Sequence, residues 1–441
     1  MSYDEFDYLE ELELEEEPWE ELEKTEQTAF LAHLVRQGET DKESQATLDE
    51  LERLADTAGI QVLGSYTQKR NYPERGSFFG KGFLEETATR MLQAQADLLI
   101  VNEELSPIQA RNIQRDYGIS VIDRTEVILS IFHEHAKTRE AMLQVRLAEL
   151  EYQYPRLRKL WGHFDAQRGS ARSAGGSASR GMGEKQIEVD RRLIRLKIRR
   201  IKSQLAQIIT QKETQRKQRD NVRKICIVGY TNAGKSTLFN ALTQAGVLVQ
   251  DKLFATLDST SRQLKLATGS PIVISDTVGF ISKLPHHLVA SFKATLMEVQ
   301  NADLLLHLVD SADDRLEYYI AQVNDVLTQL GADAIPQLLV LNKSDTLDPI
   351  YGSFLARRYP DAISISALTG QNVGLLLEKS EQALFQTMRF KLRVPYDQTA
   401  LVAKLHELGQ VFSEEYRDDA AYLEVSLTEA DKHLITDYID K

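Results

Sequence analysis

Cysteine is almost absent from this chain: Cys226 is the one thiol in 441 residues. It can form no internal disulfide and no cysteine-rich metal site, a usage that suits a reducing cytosol. Long apolar runs are missing as well. No stretch approaches the ~18 residues that a membrane-spanning helix requires, and the first residues are acidic rather than basic and apolar, unlike a secretory leader. The nine histidines are scattered without metal-ligand spacing. What remains, 42% hydrophobic and 27% charged, is the composition of a soluble globular protein with room for two or three cores.

The net charge of −13 is unevenly spread. Residues 4–26 hold thirteen acids against Lys24 alone, a net −12. Residues 155–224 hold twenty Lys or Arg against six acids, a net +14. An acidic segment therefore precedes a body with one strongly basic element. The acidic segment carries Leu9, Leu12, Leu14 and Trp19 among its acids. It reads as a solvated tail, with self-masking of the basic element as the sharper alternative.

Along the chain the pattern predicts five regions. Residues 1–43 read as an acidic extension without fixed structure, and 44–124 as a small α/β layer of alternating strand and helix. Gly80-Lys81-Gly82 within it stands before a helix and reads as a plain turn or an anion contact. Residues 125–222 read as a long helical hairpin, because 125–160 has no glycine and no break before Pro155, and 185–219 repeats apolar residues at helical spacing. The second run carries Arg191, Arg192, Arg195, Lys197, Arg199, Arg200 and Lys202. Its tip, 161–184, is rich in Gly, Ser and Arg. Arg168, Arg172 and Arg180 there, with Arg191 and Arg192 on the helix, are the candidate RNA contacts, since a cationic tip has little to bury and much to offer phosphates. Residues 223–388 read as a Ras-like P-loop domain and 389–441 as a small α/β domain. The fold class is thus a multidomain α/β protein.

Four short motifs define the third core. Gly229-Tyr230-Thr231-Asn232-Ala233-Gly234-Lys235-Ser236 follows the apolar run Lys224-Ile225-Cys226-Ile227-Val228 and precedes a helix beginning with Thr237. Strand, glycine-rich turn and helix N-terminus make a cradle of N–H groups for phosphates. Lys235 would neutralise the β- and γ-phosphates, and Ser236 would ligate Mg²⁺. Asp276-Thr277-Val278-Gly279 ends a second strand; Asp276 can reach Mg²⁺ through water, and Gly279 leaves its N–H free for the γ-phosphate. Between them lies Phe254-Ala255-Thr256-Leu257-Asp258, read as switch I, with Thr256 as second Mg²⁺ ligand and Thr260 as its rival. Lys235, Thr256 and Gly279 are the candidate catalytic groups. Asn342-Lys343-Ser344-Asp345 follows another apolar strand. Its carboxylate can accept from guanine N1–H and the exocyclic amine, donors that adenine lacks, so the pocket would favour GTP by roughly 10⁴-fold. Ser366-Ala367-Leu368 would close that pocket. Phe280 stands after Gly279, where a water-orienting Gln is placed in Ras-like proteins, so hydrolysis by the isolated protein should be slow. Asn232 is a candidate for holding K⁺ beside Mg²⁺.

By these residues the chain resembles the HflX family of the translation-factor-related GTPases over about residues 44–440. Beyond the motifs already given, the resemblance is carried by Glu104-Leu105-Ser106-Pro107, Asp123-Arg124-Thr125-Glu126, Thr138-Arg139-Glu140, Leu143-Gln144-Val145, Arg180-Gly181-Met182-Gly183-Glu184-Lys185-Gln186 and Asp190-Arg191-Arg192. It implies a cytoplasmic, monomeric GTP hydrolase that binds the large ribosomal subunit and its rRNA in the GTP state. It further implies a hairpin tip entering the peptidyl-transferase region, with splitting or rescue of stalled ribosomes under stress. The alternative is a GTP-gated RNA-binding, chaperone or subunit-assembly factor in which hydrolysis is incidental. Two departures stand out. At the tip Met182 replaces the proline of the usual Arg-Gly-Pro-Gly-Glu and the glycine run is thinner, and the acidic N-terminal extension is not part of the common core.

Overall fold

The computed structural model describes residues 27–160, 177–217, 222–243, 253–254, 260–266, 269–281, 293–385, 387–408, 410–417 and 420–439. The chain divides into two compact units, with the boundary between Arg124 and Thr125 and with Ser106–Ile108 belonging to the second.

The first unit is built on a four-stranded parallel sheet of order β2-β1-β3-β4. Its strands are β1 (Gln27–Val35), β2 (Ile60–Lys69), β3 (Leu98–Val101) and β4 (Val121–Asp123). Helices α1 (Asp41–Thr57), α2 (Lys81–Ala94) and α3 (Pro107–Tyr117) supply the crossovers that parallel pairing demands. The apolar run Ala29-Phe30-Leu31-Ala32 and Leu34-Val35 is buried throughout, as a strand covered on both faces must be. The expected extension 1–43 is therefore corrected: the acidic charge ends at Glu26, and residue 27 opens the sheet's central β1. Thr40 caps α1 in a reciprocal box with Glu43, satisfying the first free N–H groups of the helix.

Polar groups gather at the carboxyl ends of β1 and β3, where the strand order reverses. His33 is buried, 2.7 Å from Glu39 and 2.8 Å from Glu103. Asn102 lies 3.3 Å from His33 and accepts from Arg124 at 3.1 Å, and Arg124 in turn pairs with buried Glu50. Burial alone would lower the His33 pKa, but the bonds and charges of Glu103 and Glu39 outweigh it and raise the value.

From Thr125 the second unit runs through the rest of α4 (Arg124–His135), then α5 (Arg139–Leu160) and α6 (Ser177–Lys217). The uninterrupted helix expected from residue 125 is broken at 136–138, whereas Pro155 lies inside α5 without ending it. His133 of α4 pairs with Glu149 of α5 at 2.8 Å. Helices α5 and α6 zip together through Leu147, Leu150, Ile201 and Leu205. Part of the expected tip is instead helical: α6 begins at Ser177 and includes Gly181 and Gly183, while residues 161–176 lie outside the described residues.

Next comes a six-stranded sheet of order β10-β9-β8-β5-β7-β6, parallel except for the edge strand β6. The strands are β5 (Arg223–Gly229), β6 (Thr260–Lys265), β7 (Pro271–Asp276), β8 (Leu304–Asp310), β9 (Gln337–Asn342) and β10 (Ile363–Ser364). Helices α7 (Lys235–Thr243), α8 (Lys293–Gln300), α9 (Leu316–Gln329), α10 (Pro349–Arg358) and α11 (Val373–Phe385) alternate with them. Ile225, Ile227, Leu238, Phe239, Ile274 and Leu306 are among the residues of its core. The chain finishes with an antiparallel sheet of order β11-β13-β12, formed by β11 (Thr387–Val394), β12 (Gln410–Tyr416) and β13 (Ala421–Thr428), with α12 (Thr399–Leu408) alongside. No helix among the described residues is long and apolar enough to cross a membrane.

Candidate functional site

The parallel strands of the six-stranded sheet all end on the same side, and the motif residues sit at those carboxyl ends, the usual place for a ligand in an open α/β sheet. Strand β5 delivers Gly229, whose backbone passes so near β8 that a Cβ there would lie 2.2 Å from the Leu308 carbonyl oxygen. The loop then turns through Asn232 (φ 62°) and Gly234 (φ 91°) into α7. Lys235 opens that helix, is buried, and donates to the Tyr230 carbonyl at 2.8 Å. Burial lowers its pKa to about 8, against the opposing pull of the Asp276 charge. Ser236 Oγ donates to Asp276 Oδ2 at 2.7 Å, so the two residues expected near a metal are already in contact. Thr237 occupies the first turn of α7. Tyr230 packs its ring 4.2 Å from that of Tyr319, and the buried Thr231 hydroxyl finds no hydrogen-bond partner among the described residues.

The Asp276–Gly279 segment runs directly beside this loop. Thr277 Oγ1 donates to the Ile227 carbonyl at 2.7 Å, fixing the segment to β5. Phe280 N donates to the Gly229 carbonyl at 3.1 Å, and Thr231 N donates to the Phe280 carbonyl at 2.8 Å. A Cβ on Gly279 would stand 2.8 Å from Lys235 Nζ, 2.8 Å from Thr231 Cγ2 and 2.9 Å from Thr231 Cα. Only glycine fits. Val278 and Phe280 are both buried, so the Phe280 ring is part of the core and offers a water molecule nothing.

The third and fourth motifs meet through one side chain. Asn342, buried at the end of β9, donates from Nδ2 to the Ala233 carbonyl at 2.9 Å and accepts at Oδ1 from Ala367 N at 2.9 Å. It therefore ties the phosphate loop to the Ser366–Leu368 loop. A Cβ on Gly234 would fall 2.3 Å from Asn342 Nδ2 and break that tie. Lys343 follows in the left-handed region (φ 64°), and its Nζ lies 2.7 Å from Asp310 Oδ2. Ser344 N donates to the Ile365 carbonyl at 3.1 Å, while Asp345 is exposed beside it. Ser366 is buried and accepts at Oγ from Thr369 N at 3.1 Å; Leu368 is exposed. Asp310 was not among the residues expected from sequence. The signal was available: an acid closing an apolar strand beside the strand that ends in Asn342-Lys343.

Of switch I, Phe254 is buried with φ 57°, its ring edge-on to Phe132 of α4 at 4.7 Å between centroids. Ala255, Thr256, Leu257 and Asp258 lie outside the described residues, as do Arg168 and Arg172. Arg180 falls in α6; further along that helix Arg191 is half-buried and Arg192 exposed. No group of three or more His, Cys, Asp or Glu suited to a metal occurs among the described residues. The oxygen donors of Ser236 and Asp276 instead suit a hard cation that retains most of its own water, as Mg²⁺ does.

Comparison with known proteins covers most of the chain. Family models described as GTP-binding GTPase N-terminal, GTP-binding GTPase Middle Region and 50S ribosome-binding GTPase match residues 45–133, 135–219 and 224–343 respectively. GTPase HflX of Magnetococcus marinus is 44% identical over 391 residues, 88% of this chain and 89% of its own length. GTPase HflX of Caldanaerobacter subterraneus subsp. tengcongensis is 40% identical over 423 residues, 95% of each. A GTP-binding protein from Sulfolobus solfataricus, solved in complex with GDP, is 25% identical with a TM-score of 0.41, covering 82% of this chain and 99% of its own.

Proposed function

The chain belongs to the HflX family of GTPases, and from that premise we propose that it engages the large ribosomal subunit in its GTP state, splits or rescues stalled ribosomes under stress, and leaves on hydrolysis. It is a GTP hydrolase that binds GTP and GDP. As in such enzymes generally, Mg²⁺ accompanies the nucleotide and neutralises charge on the phosphates.

The roles proposed for the residues are these. Backbone N–H groups from Gly229 to Ser236 cradle the phosphates at the start of α7, and Lys235 exchanges its bond to the Tyr230 carbonyl for phosphate oxygens. Ser236 and Asp276 hold the metal side of the site, and Thr256 joins when the γ-phosphate is present. Gly279 brings its N–H against the same phosphate. Asp345 reads the guanine edge, Lys343 covers its face, and Ser366, Ala367 and Leu368 close the pocket. Asn342 supports this arrangement from behind by joining both loops. Phe280, buried, leaves the attacking water without a side-chain partner. The isolated protein is therefore slow, and stimulation comes from the ribosome, with K⁺ held at Asn232 as a further source of positive charge.

The observation that carries ribosome engagement is a helical pair, α5 and α6, zipped by its own small core and decorated on α6 with Arg191, Arg192, Arg195, Lys197, Arg199, Arg200 and Lys202. A hydrolase of small nucleotides has no use for such an arm, whereas rRNA phosphates do. The test is sedimentation of 70S particles with the protein and either GTP or a non-hydrolysable analogue. Free subunits with both nucleotides, and release of the protein only with GTP, support the proposal. Intact 70S particles, with binding to arbitrary RNA, would support the RNA-binding or chaperone reading instead.

A further inference from the structure

We propose that Asp310 is a positioning residue for the guanine base, acting through Lys343; the inference rests on reading Asn342–Asp345 as the base pocket. Strands β8 and β9 pair in parallel with Asp310 opposite Asn342, so the residue after Asn342 emerges beside the Asp310 carboxylate. Both carboxylate oxygens are committed. Oδ2 lies 2.7 Å from Lys343 Nζ, and Oδ1 accepts from Ala312 N at 3.0 Å. The next residue, Ser311, donates from N to the Asn342 carbonyl at 2.9 Å, and its hydroxyl donates to the same oxygen. The turn after β8 thus braces the backbone of Asn342 and the side chain of Lys343 together.

Lys343 needs such a brace for two reasons. Its φ of 64° lies in the left-handed region, which a side chain with a Cβ seldom adopts. Its stem also has four rotatable bonds, and laying it over a base would freeze them on binding. An ammonium already held by Asp310 narrows the conformations open to the stem, so less freedom is lost when the base arrives. The pair is half-buried, which keeps solvent from screening it away entirely. Ser344 N is meanwhile fixed to the Ile365 carbonyl. The base-reading segment is therefore held on both sides of Lys343, once by its neighbour's backbone and once by Asp310.

The experiment measures affinity for a fluorescent GDP in four proteins: wild type, Asp310→Asn, Lys343→Met and the double variant, each with its thermal midpoint and GTPase kinetics. Asp310→Asn is expected to weaken GDP roughly tenfold, with the loss in turnover falling on KM rather than kcat. In the Lys343→Met background the same change should have no further effect, and Asp310→Glu should recover part of the affinity. Independent, multiplying losses would assign Asp310 to shaping the turn through Ala312 and overturn the proposal. So would a neutral Asp310→Asn beside a damaging Lys343→Met. If Lys343→Met itself leaves GDP affinity intact, the base-pocket reading fails first and takes this inference with it.

Discussion

Lys235 and His33 are both buried cations in waiting, and their surroundings push them in opposite directions. Burial brings the Lys235 pKa down to about 8. In the protein without nucleotide, the unfolded chain then binds the extra proton between about 8 and 10.5, so stability should rise with pH across that window and stay flat below it. The slope approaches ~1.4 kcal/mol per pH unit at most. Denaturant titrations from pH 7 to 10 should show this slope in the wild type and lose it in Lys235→Met, which should also no longer bind GTP. His33 behaves the other way. Its pKa is raised above 6.5 by Glu103 and Glu39 despite burial, so its contribution is complete below about 6.5 and fades as pH climbs through the folded value. Protection of the β1 amides, taken relative to their intrinsic exchange rates, should fall over that range, and His33→Gln should remove that fall. Gly279→Ala is a third residue-scale change with a clear sign. The added methyl meets Thr231 backbone at 2.9 Å, which cannot yield without displacing the phosphate loop. GTP affinity and turnover should both collapse, with a fall in melting temperature from about 1–3 kcal/mol of overpacking, as titration and thermal unfolding of one sample would show.

Elements show where the sequence was legible and where it was not. Strands β5, β7 and β9 announce themselves as apolar runs ending on the polar residues of each motif, because a strand buried on both faces tolerates nothing else until it emerges. Strand β1 was hidden by its neighbourhood. Thirteen acids up to Glu26 coloured the whole of 1–43 as solvated, although Phe30-Leu31-Ala32 carried the buried-strand pattern. Pro155 misled differently. A proline removes one helix hydrogen bond, yet the zipped contacts of α5 with α6 carry the helix through it, while the real break at 136–138 has no proline or glycine to mark it. At the tip, glycine and serine suggested a loop from Gly162 to Glu184, but Ser177 onward is helical. The partners of Asn342, the Ala233 carbonyl and the Ala367 N–H, are tertiary and are not written in local pattern. Asn342→Ala should strand the Ala233 carbonyl and Ala367 N–H at about 1–3 kcal/mol each, lowering thermal stability and GTP affinity together. In the hairpin, changing Arg168, Arg172 and Arg180 to Ala should flatten the salt dependence of ribosome binding. Each lost phosphate contact lowers the slope of log K against log salt by roughly 0.7–0.9. Hydrolysis without ribosomes should hold, and an unchanged slope would return the tip to a solvated linker.

The whole molecule is an acidic protein whose positive charge is concentrated in one arm: a net +14 over residues 155–224 stands against a net −12 over residues 4–26. If the acidic segment competes with RNA for that arm, deleting residues 1–26, just before β1, should tighten ribosome binding most at low salt, where screening is weakest. Equal binding at every salt concentration would leave the segment a solvated extension. The switch itself is tested more directly by co-sedimentation with purified large subunits, comparing a non-hydrolysable GTP analogue with GDP at one fixed salt concentration. The analogue should carry the protein into the subunit pellet, GDP should leave it in the supernatant, and Asp345→Asn should erase the difference. Equal pelleting with both nucleotides would contradict a GTP-gated encounter with the ribosome.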